Sequence, residues 1–429
     1  MMSEKRVARA PYQALRNRDF RSIAGALLVS YTGTQMQNAA VDWHLWLLTR
    51  SPLALGLVGL VRVVPIFVFS LWGGLAADRS DRRRLLLRAQ VVMALAAALL
   101  ALATFTHRVS APLIYAATAL GSAAAAFDSP ARNALVPRLV PREDLPGALT
   151  ILLSAFQAAN IGGPALAGLL IAAGHGEGTV SLAFLYLANA LSFLAVIASL
   201  LTMKKSSGAV EETVGPRPSP LASLREGVAF VRRTPLLVWT MTLDFFATFF
   251  AGSMSLLPVF ADQVLKTGAL GYGWLRAAPG LGALVGSLWS SVRPLPRRQG
   301  WVLLWAVAGY GVSTVVFGLS RSYLLSLAAL FLVGLGDVVS TAIRVTARQL
   351  VTPDALRGRM ISVNMIFFMG GPQLGELEAG FVAWLFASAA TGATVAVVTG
   401  GLATLVVAGV VAFATPVVRE YRGLPEART

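Results

Sequence analysis

Gly74-Leu75-Ala76-Ala77-Asp78-Arg79-Ser80-Asp81-Arg82-Arg83-Arg84 joins the end of one long apolar segment to the start of the next. A Gly, an Asp-Arg pair and a run of Arg are compressed into a very short connection. Charge of that density between two apolar segments marks an orientation signal or a gate at a membrane surface.

Working outward, the same alternation fills the chain. Its 429 residues are 56% hydrophobic and 13% charged, with a mean hydropathy of +0.69. A soluble protein carries about a quarter charged residues. A membrane-crossing helix takes about 20 mostly apolar residues. Segments of that kind lie near 20–48, 53–77, 84–106, 111–133, 146–173, 179–202, 236–261, 269–291, 300–319, 322–345, 358–387 and 390–416. Barrel strands are only about ten residues long, so these are helices. The sequence predicts an all-α membrane protein of about twelve transmembrane helices.

The net charge of +16 does not point to nucleic acid, because the basic residues gather in alternate loops. Arg79, Arg82, Arg83, Arg84 and Arg88 follow the second span, Arg138 and Arg142 the fourth, Lys204, Lys205, Arg232 and Arg233 the sixth. Arg297 and Arg298 follow the eighth, Arg357 and Arg359 the tenth, Arg419 and Arg422 the last. The other loops carry single charges such as Arg50, Arg108, Lys266 and Arg321. The positive-inside rule then sets both termini in the cytoplasm. The first apolar segment is too long for a signal peptide and is expected to remain as a span.

Lys204–Pro235 is the longest polar stretch; Pro216, Pro218 and Pro220 mark a linker. Leu221, Leu224, Val228 and Val231 recur at helical spacing beside Arg225, Arg232 and Arg233, an amphipathic helix on the cytoplasmic face. The expected organisation is a six-helix bundle over 1–203, a linker over 204–235 and a second six-helix bundle over 236–429. The two halves repeat. Leu139-Val140 and Leu145-Pro146-Gly147 match Leu350-Val351 and Leu356-Arg357-Gly358 at an offset of 211, Asp128 matches Asp337 at 209, and Gly162-Gly163-Pro164 matches Gly370-Gly371-Pro372 at 208. Parallel six-span repeats are a transporter architecture with the binding site near the midplane.

Ionisable and polar groups inside a bilayer are costly and are site candidates. Tyr31, Gln35, Asn38 and Asp42 fall on one face of the first span. They are expected to line a wet cavity; interhelical hydrogen bonding without a ligand is the alternative. Arg62 in the second span is the expected partner of Asp42, and Gln157 in the fifth joins the cavity set. In the seventh span Thr240, Asp244 and Thr248 share a face; Asp244 reads equally as a cavity carboxylate or a hydrogen-bonded core residue. In the eleventh span Gln373 and Glu376 share a face, while Glu378 points about 200° away from Glu376. Asp128 and Arg132, with their repeat counterparts Asp337 and Arg344, lie at cytoplasmic ends and read as gate elements, as do Gly74, Asp78, Arg79 and Arg82. Asp128 is expected to accept from Arg82 or Arg79, and Asp78 to face the start of the eleventh span. Trp43 and Trp46 read as anchors at the outer interface.

The Gly74–Arg84 segment resembles the G-x-x-x-D-R-x-G-R-R signature of the major facilitator superfamily, with Asp81 where that pattern has Gly. Pro353–Ile361 and Tyr272–Gly280 are similar to the bacterial branch that includes enterobactin exporters and macrolide-efflux proteins. Gly163, Pro164 and Gly168 resemble the Gly-Pro motif of drug:proton antiporters; the arginine those antiporters often carry in span four is missing, and Ala116 to Ala126 is uncharged. The resemblance implies an exporter of drug- or siderophore-type amphipathic molecules in the bacterial inner membrane; the expected form is a monomer, driven by protons through the span carboxylates Asp42, Asp244 or Glu376. A lysophospholipid flippase and a non-transporting membrane sensor remain open alternatives.

Other chemistries find no support. There are no cysteines. No GxxxxGK[ST] loop is present for ATP. His44, His107 and His175 are far apart in sequence, a poor metal set. No cofactor and no enzymatic activity are expected.

Overall fold

The computed structural model describes residues 11–79, 81–174, 179–203, 220–292, 297–353 and 356–423. The long helices of the first half are α1 (Arg18–Thr49), α2 (Pro52–Arg79), α3 (Arg82–Phe105), α4 (Ala111–Leu135), α5 (Leu145–Ala173) and α6 (Thr179–Thr202). A short α7 (Pro220–Arg233) leads into α8 (Pro235–Phe250). Single turns follow over Ser253–Leu256, α9 (Leu257–Val259) and a π-helical turn over Phe260–Val264. The second half continues with α10 (Gly268–Val292), α11 (Gln299–Leu319), α12 (Tyr323–Val351), α13 (Arg357–Trp384), α14 (Ala389–Ala414) and α15 (Pro416–Arg419).

Helix starts follow local chemistry. Asp81 caps α3 by accepting from the backbone N–H of Arg83 at 2.9 Å and Arg84 at 3.3 Å. An Asp at that position satisfies orphan N–H groups that Gly would leave open. Ser388 caps α14 in the same way. Arg50 ends α1 in the left-handed region, with φ of 49°. Prolines inside α2, α4, α5, α10 and α13 (Pro65, Pro130, Pro164, Pro279 and Pro372) are of the kind that spans tolerate.

Eight of these segments are long and apolar enough to cross a membrane by length and composition alone. The other long helices, α1, α4, α10 and α13, carry Asp42, Asp128, Arg276 and Glu376. On α14, Leu402, Val406, Val410 and Phe413 form an exposed stripe, Phe413 being 85% exposed. An apolar ridge of that kind suits lipid rather than water.

The helices group into two compact units, 1–40 with 65–214 and 41–64 with 215–429. In the first, Phe20, Ile23 and Leu27 of α1 pack with Leu86 of α3, Ala131 and Leu135 of α4 and Val196 and Leu200 of α6. In the second, Leu243 of α8, Leu303, Leu304 and Val307 of α11, Ile343 of α12 and Val411 of α14 form a core. Residues 41–64, expected with the first half, group with the second unit, because their side chains find partners on α10 and α13.

Two further features of the second half are marked by close packing. The seventh span is broken at Ala251 and Gly252, where a Cβ on Gly252 would come within 3.1 Å of Gly375 of α13. The amphipathic helix α7 packs on α13: a Cβ on Gly227 would lie 2.9 Å from Val363, Val231 joins a core with Leu237, Met241 and Met360, and Glu226 pairs with Arg359 at 2.5 Å.

Candidate functional site

Within the second unit, Asp42 lies almost fully buried between two guanidinium groups. Arg62 of α2 reaches one carboxylate oxygen at 3.2 Å, and Arg276 of α10 holds the other. Arg276 also donates to Tyr272 Oη at 3.1 Å, and Tyr272 stacks on Trp43 with ring centroids 5.2 Å apart. The charges of Arg62, Asp42 and Arg276 all act on Glu376 of α13. Gly56 and Gly59 let α2 lie directly on α13: a Cβ at Gly56 would meet the Glu376 carbonyl at 2.8 Å, and one at Gly59 would meet the Gln373 carbonyl. Small residues at a crossing permit this backbone approach in spans.

The expected pair of Asp42 with Arg62 is present; Arg276 was missed as its second partner. An arginine inside an apolar span is itself a signal in the sequence, since such a charge needs a partner. Trp43 and Trp46, expected as interface anchors, are buried instead. Trp46 donates its indole N–H to Asp262 at 2.9 Å, and Arg50 pairs with the same oxygen at 2.5 Å while standing over the Trp46 ring.

A second cluster in this unit joins residues that the sequence reading had assigned separately to cavity and gate. Arg344 pairs with Asp244 and lies 3.9 Å from Asp337, whose side chain is half-exposed. With Thr248, Tyr310 and Ser340 they line a small recess.

In the first unit, Tyr31, Gln35 and Asn38 turn toward α5. Tyr31 meets Phe156 edge-on at 5.6 Å and lies under the Arg132 guanidinium at 5.1 Å. Gln35 donates to Asn160, Asn38 donates to Gln35 at 2.9 Å, and Asn160 reaches Gln157 at 3.4 Å. These four residues are partly accessible. Gly163 makes the approach possible, since its Cβ would stand 2.6 Å from Gln35 Cβ and 3.0 Å from the Thr32 carbonyl. Pro164 and Gly168 are buried beside it. The repeat is visible here in space. Gly371 meets Thr248 and, at 3.1 Å, the Phe245 carbonyl of α8, as Gly163 meets Gln35 and Thr32 of α1.

Asp128 accepts from Gln90 of α3 at 2.6 Å and pairs with Arg132 at 3.0 Å. The expected donor Arg82 is not among its described partners. Arg82 instead neighbours Arg138, whose guanidinium is held below its usual basicity by burial first and by the Arg82 charge second. The surroundings of Gly74, Asp78 and Arg79 lie outside what the structure describes. Among the described residues no cluster of His, Asp and Glu suits a metal ion.

The family profile described as transmembrane secretion effector matches residues 9–423. Enterobactin exporter EntS of Escherichia coli O139:H28 (strain E24377A) is 29% identical over 342 residues, 80% of this chain and 79% of that protein. Its counterpart from Escherichia fergusonii gives the same figures, 29% over 80% of this chain and 79% of that protein. Among solved structures, a bacterial homologue of the human lysosomal transporter Spinster, inward-facing and unoccupied, superposes with a TM-score of 0.74 at 14% identity, covering 95% of this chain and 99% of that one. An inward-facing bacterial homologue of the iron transporter ferroportin gives 0.65 at 17% identity over 91% and 98%. Those structural likenesses carry the fold: an all-α membrane architecture of two pseudo-symmetric six-helix bundles. The relatives are transporters, not enzymes. The chain therefore belongs to the transmembrane secretion effector family of the major facilitator superfamily, and is a multi-pass membrane transporter of small molecules.

Proposed function

We propose that this chain exports amphipathic small molecules of drug or siderophore type from the cytoplasm, by alternating access and in exchange for protons. The observation that carries the reading is the buried group of Asp42, Arg62, Arg276 and Glu376. Four ionisable side chains gathered at membrane depth are costly, and such groups mark substrate or proton pathways. The 29% identity with enterobactin exporters supports export and a siderophore-type substrate.

In this reading the halves 1–203 and 236–429, joined by the linker 204–235, rock about a midplane site. Tyr31, Gln35, Asn38 and Gln157 from one half and Gln373 from the other contact substrate. Asp128 with Arg132, Asp337 with Arg344, and the turn carrying Gly74, Asp78, Arg79 and Arg82 control the cytoplasmic side. Gly163, Pro164 and Gly168 keep α5 close to α1 while the bundle moves. The protein works as a monomer in the bacterial inner membrane with both termini in the cytoplasm, an orientation that the charge of its alternate loops supports.

Retention of ethidium and of enterobactin by cells tests the reading. Cells expressing the chain should retain less than cells with an empty vector, and a protonophore should remove the difference. Equal retention of both compounds contradicts export. A difference that survives the protonophore contradicts the proton drive.

A further inference from the structure

Three side-chain atoms near the crossing of α2 and α13 are buried without a hydrogen-bond partner: Arg62 Nε, Gln373 Oε1 and Glu376 Oε2. Three other carboxylates of the spans have partners. Asp42 takes Arg62 and Arg276, Asp128 takes Gln90 and Arg132, and Asp244 takes Arg344. Glu376 forms no ion pair among the described residues. Its Oε2 faces Gly59, where a built Cβ would lie 3.1 Å away, so at that position α2 offers bare backbone and no side-chain donor. An ionised carboxylate in such a place is far more costly than a neutral carboxyl group.

We propose that Glu376 carries the exchanged proton, and that Asp42 is the fixed anchor of two arginines. The inference rests on the proton-driven reading above. The arrangement has two states. With the proton on, Glu376 is neutral and needs no cation, as its orphaned oxygen requires. When the carboxyl O–H bond breaks, the proton leaves to water, and the carboxylate takes the spare N–H of Arg62 Nε. Proton uptake frees that N–H again. The charged groups whose fields reach Glu376 are Asp42 of α1, Arg62 of α2 and Arg276 of α10. Of the other helices packed on α13, α8 has one charge, Asp244, held by Arg344, α14 has none, and α7 pairs with Arg359. With Glu376 neutral the cluster holds two arginines against one carboxylate, and with Glu376 ionised the charges balance. Proton loss should therefore tighten the hold of residues 41–64 on α10 and α13, and proton uptake should loosen it. Glu378 also has a buried oxygen without a partner, but it lies on the opposite face of α13 from this cluster.

Infrared difference spectroscopy of the full chain in lipid, titrated with acid and base, reads the protonated-carboxyl C=O stretch without any substrate. The titrating band is expected in the wild type, in Asp244→Asn and in Glu378→Gln, and is expected to be lost in Glu376→Gln. A band that persists in Glu376→Gln, or that disappears in Asp244→Asn or Glu378→Gln, overturns the assignment. Thermal unfolding of the same samples tests the division of roles: Asp42→Asn should lose stability and Glu376→Gln should keep it, and the reverse order overturns it. A wild type whose Glu376 band titrates but whose transport ignores a proton gradient would sink the proton drive itself, a failure distinct from a misplaced proton.

Discussion

Asp42 on α1 and Arg276 on α10 form a buried ion pair across 234 positions of sequence. With Arg62 on the other oxygen, the carboxylate is held directly by two cations. Removing one member of a buried pair leaves an uncompensated charge, at a cost of about 3–5 kcal/mol. Asp42→Asn should therefore lower the thermal midpoint in detergent substantially. An unchanged midpoint would contradict the anchoring role.

The hydrogen bond from Trp46 to Asp262 and the ion pair from Arg50 to the same residue allow a ranking. Trp46 is fully buried, and a hydrogen bond to a charged group contributes about 1.5–3 kcal/mol. The Arg50 side chain is 54% exposed, and an exposed pair contributes roughly 0–1 kcal/mol. Trp46→Phe should destabilise more than Arg50→Ala in chemical unfolding. The opposite order would show that the surface charge holds this end of α1.

Much of the fold was legible because lipid demands long apolar helices. The expected span over 179–202 coincides with α6, and 146–173 falls one residue short of α5. The break at Gly252 was not legible, since the residue it packs against, Gly375, lies more than a hundred positions away. The same limit applies to the site. Periodicity placed Tyr31, Gln35, Asn38 and Asp42 on one face, but a face does not name the neighbour it meets. The partners Asn160, Arg276 and Gln90 are set by tertiary packing. The burial of Trp43 and Trp46 was hidden for the same reason: an indole near a helix end reads as an interface anchor until Tyr272 and Asp262 are found against it.

The repeat gives matched glycine tests. A Cβ at Gly163 would lie 2.6 Å from Gln35, and one at Gly371 would lie 2.5 Å from Thr248, whereas Gly162 has nothing within 4 Å. Overpacking costs about 1–3 kcal/mol, while Gly→Ala in open helix gains up to about 1 kcal/mol. Gly163→Ala and Gly371→Ala should each lower the unfolding midpoint, and Gly162→Ala should leave it equal or higher. Equal effects at all three positions would contradict close packing at the Gly-Pro motifs.

Asp244 and Arg344 should behave as one unit. Groups sharing an ion pair show coupling of about 0.5–3 kcal/mol in double-mutant cycles. Asp244→Asn and Arg344→Gln are each expected to destabilise, and the double variant to be less harmed than the sum of the two. Strict additivity would separate them.

The most direct test of proton-driven export is enterobactin movement in proteoliposomes bearing an imposed pH gradient. The wild type should move enterobactin against its concentration gradient only while the pH gradient lasts. Glu376→Gln should still exchange enterobactin across the membrane but no longer concentrate it. Accumulation by the wild type that ignores the pH gradient, or full gradient-driven accumulation by Glu376→Gln, would contradict the account.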